Sequence, residues 1–245
     1  LVAQRSSKGD NRGAHRIFKI SLLLFGTIGI LASYLMFFFA GIIAKNYLKI
    51  EEAKLAIIAI SPSIFLVSIT SVFRGYFNGR EAIKITSRAQ STEQLVKTVI
   101  AIVLIEVSIW LTNKNNTALM AALSNLSTTI GNLAEFVYLY KKYQKQKDEI
   151  NEEILFSVNT EKLRASTIVK EIMKYAMPIS LSAIIMSISR SIDSVTIVNE
   201  LKDILGYEAS KREYGILSGK VDTLINFPLS FGMAISGALL PTIAM

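Results

Sequence analysis

The chain has 245 residues, of which 51% are hydrophobic and only 19% charged, with a mean hydropathy of +0.42 and a formal net charge of +8. Soluble domains carry about a quarter charged residues, so this composition argues against a water-soluble globule. The absence of cysteine excludes disulfides, thiol catalysis and cysteine metal sites.

Taken in chain order, residues 1–19 are basic, with Arg5, Lys8, Arg12, Arg16 and Lys19 around the lone histidine, His15. That histidine reads as a solvated surface residue and not as a metal ligand. The stretch from Ile20 to Ala44 then holds no charged side chain, and neither does Leu55 to Phe73 or Thr223 to Met245. Each is close to the roughly 20 residues that cross a ~30 Å hydrocarbon core. Three further apolar runs carry isolated charges: Glu106 in one, Glu135 near the end of the next, and Arg190 with Asp193 in the third. The expected spans are 18–44, 55–74, 90–112, 118–140, 174–198 and 214–244. The first apolar run is too long for a signal peptide and is followed by others. With a start at Leu1 and a stop in an apolar run, the chain is expected to be a piece of a longer polytopic protein.

Lysine and arginine alternate across these spans, eighteen on one side and seven on the other. The richer side is cytoplasmic by the positive-inside rule, so both ends of the chain are expected there. The net charge therefore implies membrane lipids as neighbours and no nucleic acid. Residues 141–174 form the one long connection. Their mixed charges suit a solvated helical linker, and Ile168, Ile172 and Met173 predict an amphipathic approach to the fifth span.

Charges inside hydrocarbon cost about 2.5–3.5 kcal/mol each on insertion scales and normally face a protein interior or a water-filled cavity. Arg190 and Asp193 are three apart and share a helix face. Arg190 lies about 21 Å into its span, and Lys220 and Asp222 about 9–12 Å in from the other side. The depths match, which predicts a polar cluster of Arg190, Asp193, Lys220 and Asp222 between antiparallel spans, with Asn226 one turn on. Such a cluster either neutralises itself and pins two helices, or binds an anionic head group through Arg190, whose planar fork matches phosphate. Pro178 and Pro228 each remove a helical hydrogen bond and are hinge candidates; Pro62 and Pro241 do the same elsewhere. Gly215 and Gly219 form a GxxxG pair suited to close helix approach. Glu106 and Glu135 are both expected to snorkel to an interface.

The stretch "SVFRGYFNGR" (71–80) is a helix end at the cytoplasmic interface. Arg74 and Arg80 reach lipid phosphates there, Tyr76 and Phe77 suit the interfacial belt, and Gly75 and Gly79 permit a tight turn. Thr86, Ser87, Gln90, Glu93 and Gln94 make the next span unusually polar for a lipid-facing helix.

At this point the sequence resembles a known family. "SPSIFLVSITSVFRGYFNGREAIKITSRAQSTEQLVK" (61–97), "AMPISLSAIIMSISRSIDSVTIVNEL" (176–201) and "YGILSGKVDTLINFPLSFGMAISGALLPTIA" (214–244) are similar to stage V sporulation protein B-like flippases for lipid-linked oligosaccharides. These belong to the superfamily that also holds MurJ-type lipid II flippases and MATE exporters. The opening "LVAQ" resembles the end of the family's second span. Ile85 stands where family members usually carry proline, and Ala89 where they carry serine. The resemblance implies an all-α, polytopic two-lobe transporter of about fourteen spans in the bacterial plasma membrane. Residues 1–140 would belong to the first lobe, 141–173 to the inter-lobe linker and 174–245 to the start of the second lobe. It also implies alternating access for a polyprenyl-diphosphate-linked saccharide, a precursor of cell wall, spore cortex or capsule.

A small-molecule exporter of the same superfamily, coupled to Na+ or H+, is the alternative, and a membrane scaffold without transport a further one. An enzyme is not expected, since neither HExxH nor a Gly-rich phosphate loop with lysine is present. No cofactor or metal is implied.

Overall fold

The computed structural model describes residues 1–48, 50–112, 116–158 and 164–243; the side chains of residues 111, 112, 190, 191, 194, 195 and 233–243 lie outside the description. The described chain is all-α and folds as two compact units, Leu1–Met173 and Lys174–Met245. The chain is a membrane protein: three of its helical stretches, Asn11–Tyr47, Ala53–Gly79 and Ala165–Ser189, are long and apolar enough to cross a bilayer by length and composition.

In the first unit a short helix α1 (Val2–Ser6) leads into α2 (Asn11–Ile42). Asp10 starts α2: its Oδ1 accepts from the Gly13 N–H at 2.7 Å, and its Oδ2 pairs with Arg5 at 2.8 Å. A carboxylate at this position satisfies an otherwise open N–H and complements the helix dipole. The helix ends in a π-helical turn, Ile43–Tyr47. Three more long helices follow, α3 (Ala53–Gly79), α4 (Ile83–Thr112) and α5 (Thr117–Lys145), the last capped by Asn116. Their packing order is α2–α3–α5–α4. The chain thus skips a position, and α4 meets α3 only near the connection between them.

Helices approach closely in hydrocarbon where residues are small. A methyl on Gly29 would lie 2.7 Å from the Ser68 Cβ, across α2–α3. One on Gly131 would lie 2.9 Å from the Lys97 Cβ and 3.0 Å from the Glu93 carbonyl, across α5–α4. Polar side chains also cross these seams. Ser33 donates to the Ser61 carbonyl at 2.8 Å, Thr129 to that of Ala59 at 2.7 Å, and Asn125 to that of Ala56 at 3.3 Å. All three acceptors lie in α3 around Pro62, which has no N–H to give the Ile58 carbonyl.

At one end of the unit an aromatic cluster closes the bundle. Phe18, Phe73, Tyr76, Phe77 and Leu139 are buried there together with Ile150. His15 is 9% exposed and belongs to this cluster, stacked 6.4 Å from Tyr143. The surface position expected for it is therefore corrected. With α2 beginning at Asn11, residues 15 and 18 share the helix face that meets α3. The connection that follows α5 is likewise more packed than a solvated linker. Helix α6 (Lys147–Leu155) inserts Ile150, its Glu153 pairs with Arg80, and Ser157 and Val158 donate to the Gly9 carbonyl.

The turn between α3 and α4 also differs from expectation. Gly75 lies inside α3, and Gly79 is its last residue. A Cβ there would sit 2.6 Å from Val2, so its smallness admits α1. The left-handed residue is Glu81, at φ +60°. It completes a Schellman end in which the Ala82 N–H donates to the Phe77 carbonyl at 2.9 Å and the Glu81 N–H to that of Asn78 at 3.1 Å.

The second unit continues α7 (Ala165–Leu205), a 41-residue helix and so about 60 Å long, with Pro178 inside it. The segment holding Ile168, Ile172 and Met173 is thus part of the same helix as the span and no separate approach. Gly206, at φ +81°, separates α7 from α8 (Tyr207–Ile216). A π-helical turn, Leu217–Val221, leads on into α9 (Asp222–Ile243).

Two substitutions test these seams. Gly131→Leu is expected to force α4 from α5 and cost about 1–3 kcal/mol, read as a lower apparent Tm of the detergent-purified protein. Glu81→Gly removes a left-handed strain of about 1 kcal/mol and is expected to raise the same Tm by a few degrees; a fall would show that the Glu81 side chain contributes more than its backbone costs.

Candidate functional site

The polar residues of the first unit concentrate at the end where α3 turns into α4. Arg74, one turn before the end of α3, points its Nη1 at Glu135 Oε1 of α5, 3.5 Å away. Its Nη2 donates to the Ser71 hydroxyl at 3.1 Å. The two partners differ in surroundings: the Arg74 side chain is 24% exposed, that of Glu135 only 1%. Glu135 was expected to snorkel, and its position corrects that expectation. It faces the α3–α5 seam, and its Oε1 accepts no hydrogen bond from any described group. Glu93 of α4 presents a like charge to it. Removing Arg74 would leave a buried carboxylate uncompensated, which typically costs about 3–5 kcal/mol.

Around Arg74 the α3 surface is open. Ser71, Gly75 and Asn78 are exposed on the same face, and a Cβ on Gly75 would meet nothing within 4 Å. On α4, Ser87, Gln90, Ser91 and Gln94 are exposed at the i, i+3, i+4, i+7 spacing of one helix face. Thr86 and Glu93 turn inward; the Thr86 hydroxyl donates to Asn78 Oδ1 at 2.7 Å and ties the two helices at the elbow. The polar start of α4 read from the sequence therefore divides into a tying face and an open one. A cleft of about 520 Å³ lies beside it, with Gln4, Ser7, Asn78 and Arg80 on its walls.

Arg80 is committed within the protein. It donates to the Tyr76 hydroxyl at 3.1 Å, lies over the Tyr76 ring at 5.4 Å from its centre, and pairs with Glu153 of α6. Of the two elbow arginines, then, Arg74 is partly exposed beside an open stretch of α3 and Arg80 fastens α6.

In the second unit, Asp193, Lys220, Asp222 and Asn226 are all exposed, and the Arg190 side chain lies outside the described residues. Among the described residues α7 makes no contact with α9, and with Arg190 outside the description the cluster expected across them stays an expectation. The structure does bring Asn226 onto Asp222, whose carbonyl accepts from its Nδ2 at 2.7 Å. Thr223 likewise donates to the Gly219 carbonyl at 2.7 Å. Lys220 lies in the π-helical turn, a distortion that recurs at functional sites. Pro228 follows within α9. Gly215 and Gly219 have open space where a Cβ would stand, so no close helix approach uses them among the described residues. Glu106 is exposed on α4. No group of three metal-ligating side chains converges among the described residues.

The Arg74–Glu135 pair was missed by sequence reasoning, although a signal existed. Both residues lie near the same end of helices that run in the same direction, the depth argument that was applied to Arg190 and Lys220.

Comparison with known proteins agrees with this architecture. Over its full length the chain is 28% identical to stage V sporulation protein B of Bacillus subtilis (strain 168). Over 99% of its length it is 24% identical to the lipid II flippase MurJ of the same organism. It is also 26% identical to the uncharacterized membrane protein YabM. The chain spans about half the length of these relatives, 46%, 46% and 45% respectively. No solved structure matches it. The family described as polysaccharide biosynthesis protein matches residues 2–245, and the chain belongs to that family.

Proposed function

We propose that the protein containing this chain flips a polyprenyl-diphosphate-linked saccharide across the bacterial plasma membrane by alternating access. The observation that carries this reading is the family match over residues 2–245, joined by a relative whose name is lipid II flippase. In this reading residues 1–140 belong to the first lobe, 141–173 link the lobes and 174–245 open the second. The elbow end and both chain ends are cytoplasmic. The lipid tail stays in the bilayer while the charged head group crosses along protein surfaces that are polar at membrane depth.

The exposed faces of α3 and α4 support the reading, because serine, glutamine and asparagine stripes are costly against hydrocarbon and suit a wet cavity. Arg190, Asp193, Lys220, Asp222 and Asn226 are the second-lobe head-group contacts, with Arg190 the phosphate-binding group. Pro178 and Pro228 are the hinges of that lobe. A cation-coupled exporter of the same superfamily is the second reading, favoured by one observation, the buried carboxylate of Glu135.

The test is transbilayer movement of a labelled polyprenyl-diphosphate saccharide in proteoliposomes holding the full-length protein. Arg190→Ala is expected to slow movement by about 10- to 100-fold, the worth of one charge-assisted hydrogen bond. Movement unchanged in the variant would remove Arg190 from the head-group site. No movement in the folded wild type under imposed ion gradients would turn the assignment to the exporter.

A further inference from the structure

We propose that Glu135 is an internal counter-ion for Arg74, and that it takes up a proton as Arg74 passes to a phosphate of the lipid-linked diphosphate. The inference rests on the flippase reading and adds a proton-linked anion site in the first unit. Four observations carry it. First, the pair is loose: 3.5 Å separates Nη1 from Oε1, beyond ordinary hydrogen-bond length. Second, it is asymmetric, with a nearly inaccessible carboxylate and a partly exposed arginine side chain. Third, the surroundings of Arg74 on α3 are free of bulk, with Ser71, Gly75 and Asn78 exposed and room beside Gly75. Fourth, the guanidinium carries five N–H donors, of which one is committed to the Ser71 hydroxyl. The remainder can serve the paired oxygens of a phosphate, which is the geometry arginine matches best.

The charge balance fixes the rest. At rest the seam holds one positive and one negative group. When Arg74 turns to an anion, Glu135 would keep only the hydrogen bond from the Thr70 side chain and no counter-charge, a buried unpaired charge that a protein avoids by protonation. The proton comes from water at the open face and returns there on release. The charged groups acting on Glu135 are Arg74 from α3 and, with like sign, Glu93 from α4. Glu93 raises the penalty for an unpaired carboxylate and so strengthens the coupling.

Binding of a short-chain polyprenyl-diphosphate monosaccharide to the full-length protein in nanodiscs tests this. The probe is a diphosphate diester and does not itself titrate near neutrality. In wild type, affinity is expected to weaken as pH rises from 6 to 8, by at most about tenfold per unit for one linked proton. Calorimetry in buffers of different ionisation enthalpy should report uptake of that proton. Glu135→Gln is expected to bind at pH 8 as wild type does at pH 6 and to take up no proton. Glu135→Asp should restore the slope, and Arg74→Gln should weaken binding at every pH. Wild-type binding with the same slope and proton uptake in Glu135→Gln would overturn the inference and leave the flippase reading intact. No binding of the probe to any folded variant would overturn both.

Discussion

The first unit depends on how the carbonyls of α3 are satisfied around Pro62. Water is scarce at membrane depth, so side chains of neighbouring helices that bond to these carbonyls tie the bundle together there. Ser33 from α2 and Asn125 and Thr129 from α5 donate to three α3 carbonyls within six residues. These bonds place α3 between α2 and α5, and the chain order follows from that choice. With α5 against α3, helix α4 is pushed to the outside of α5, where Gly131 lets it come close.

That arrangement has a chemical result at the other end of the same helices. Because α3 and α5 run in the same direction side by side, a cation near the end of one meets an acid near the end of the other. Arg74 and Glu135 are the outcome. Helix α4, displaced from α3, keeps an inward face that carries Thr86 and Glu93 and an outward face of serine and glutamine. The packing set by these cross-helix bonds thus also distributes polar side chains between a dry seam and an open surface.

Much of this was legible from residues alone. The apolar runs, the all-α class and the membrane setting follow from composition and run length, since hydrocarbon imposes a minimum number of uncharged residues. Contacts set by packing were less legible. His15 sits among five basic residues, and its burial follows only once Asp10 fixes where α2 begins and which face meets Tyr76. Ile150 and Ile154, four apart on α6, carried a signal of burial that the surrounding acids and lysines concealed. Glycine near a turn invites a conformational reading, yet Gly79 serves close approach while Glu81 takes the unusual backbone angle.

The docking of α6 carries a mechanical consequence. Ile150, the Glu153–Arg80 pair and the bonds from Ser157 and Val158 to Gly9 hold the connection down as far as residue 158. What reads in sequence as a long, slack connection is therefore fastened through residue 158, at the same elbow that presents Arg74. A movement of that elbow would load the Glu153–Arg80 pair and the Gly9 bonds together, so α6 moves with the end of α3 or lets go of it as a unit.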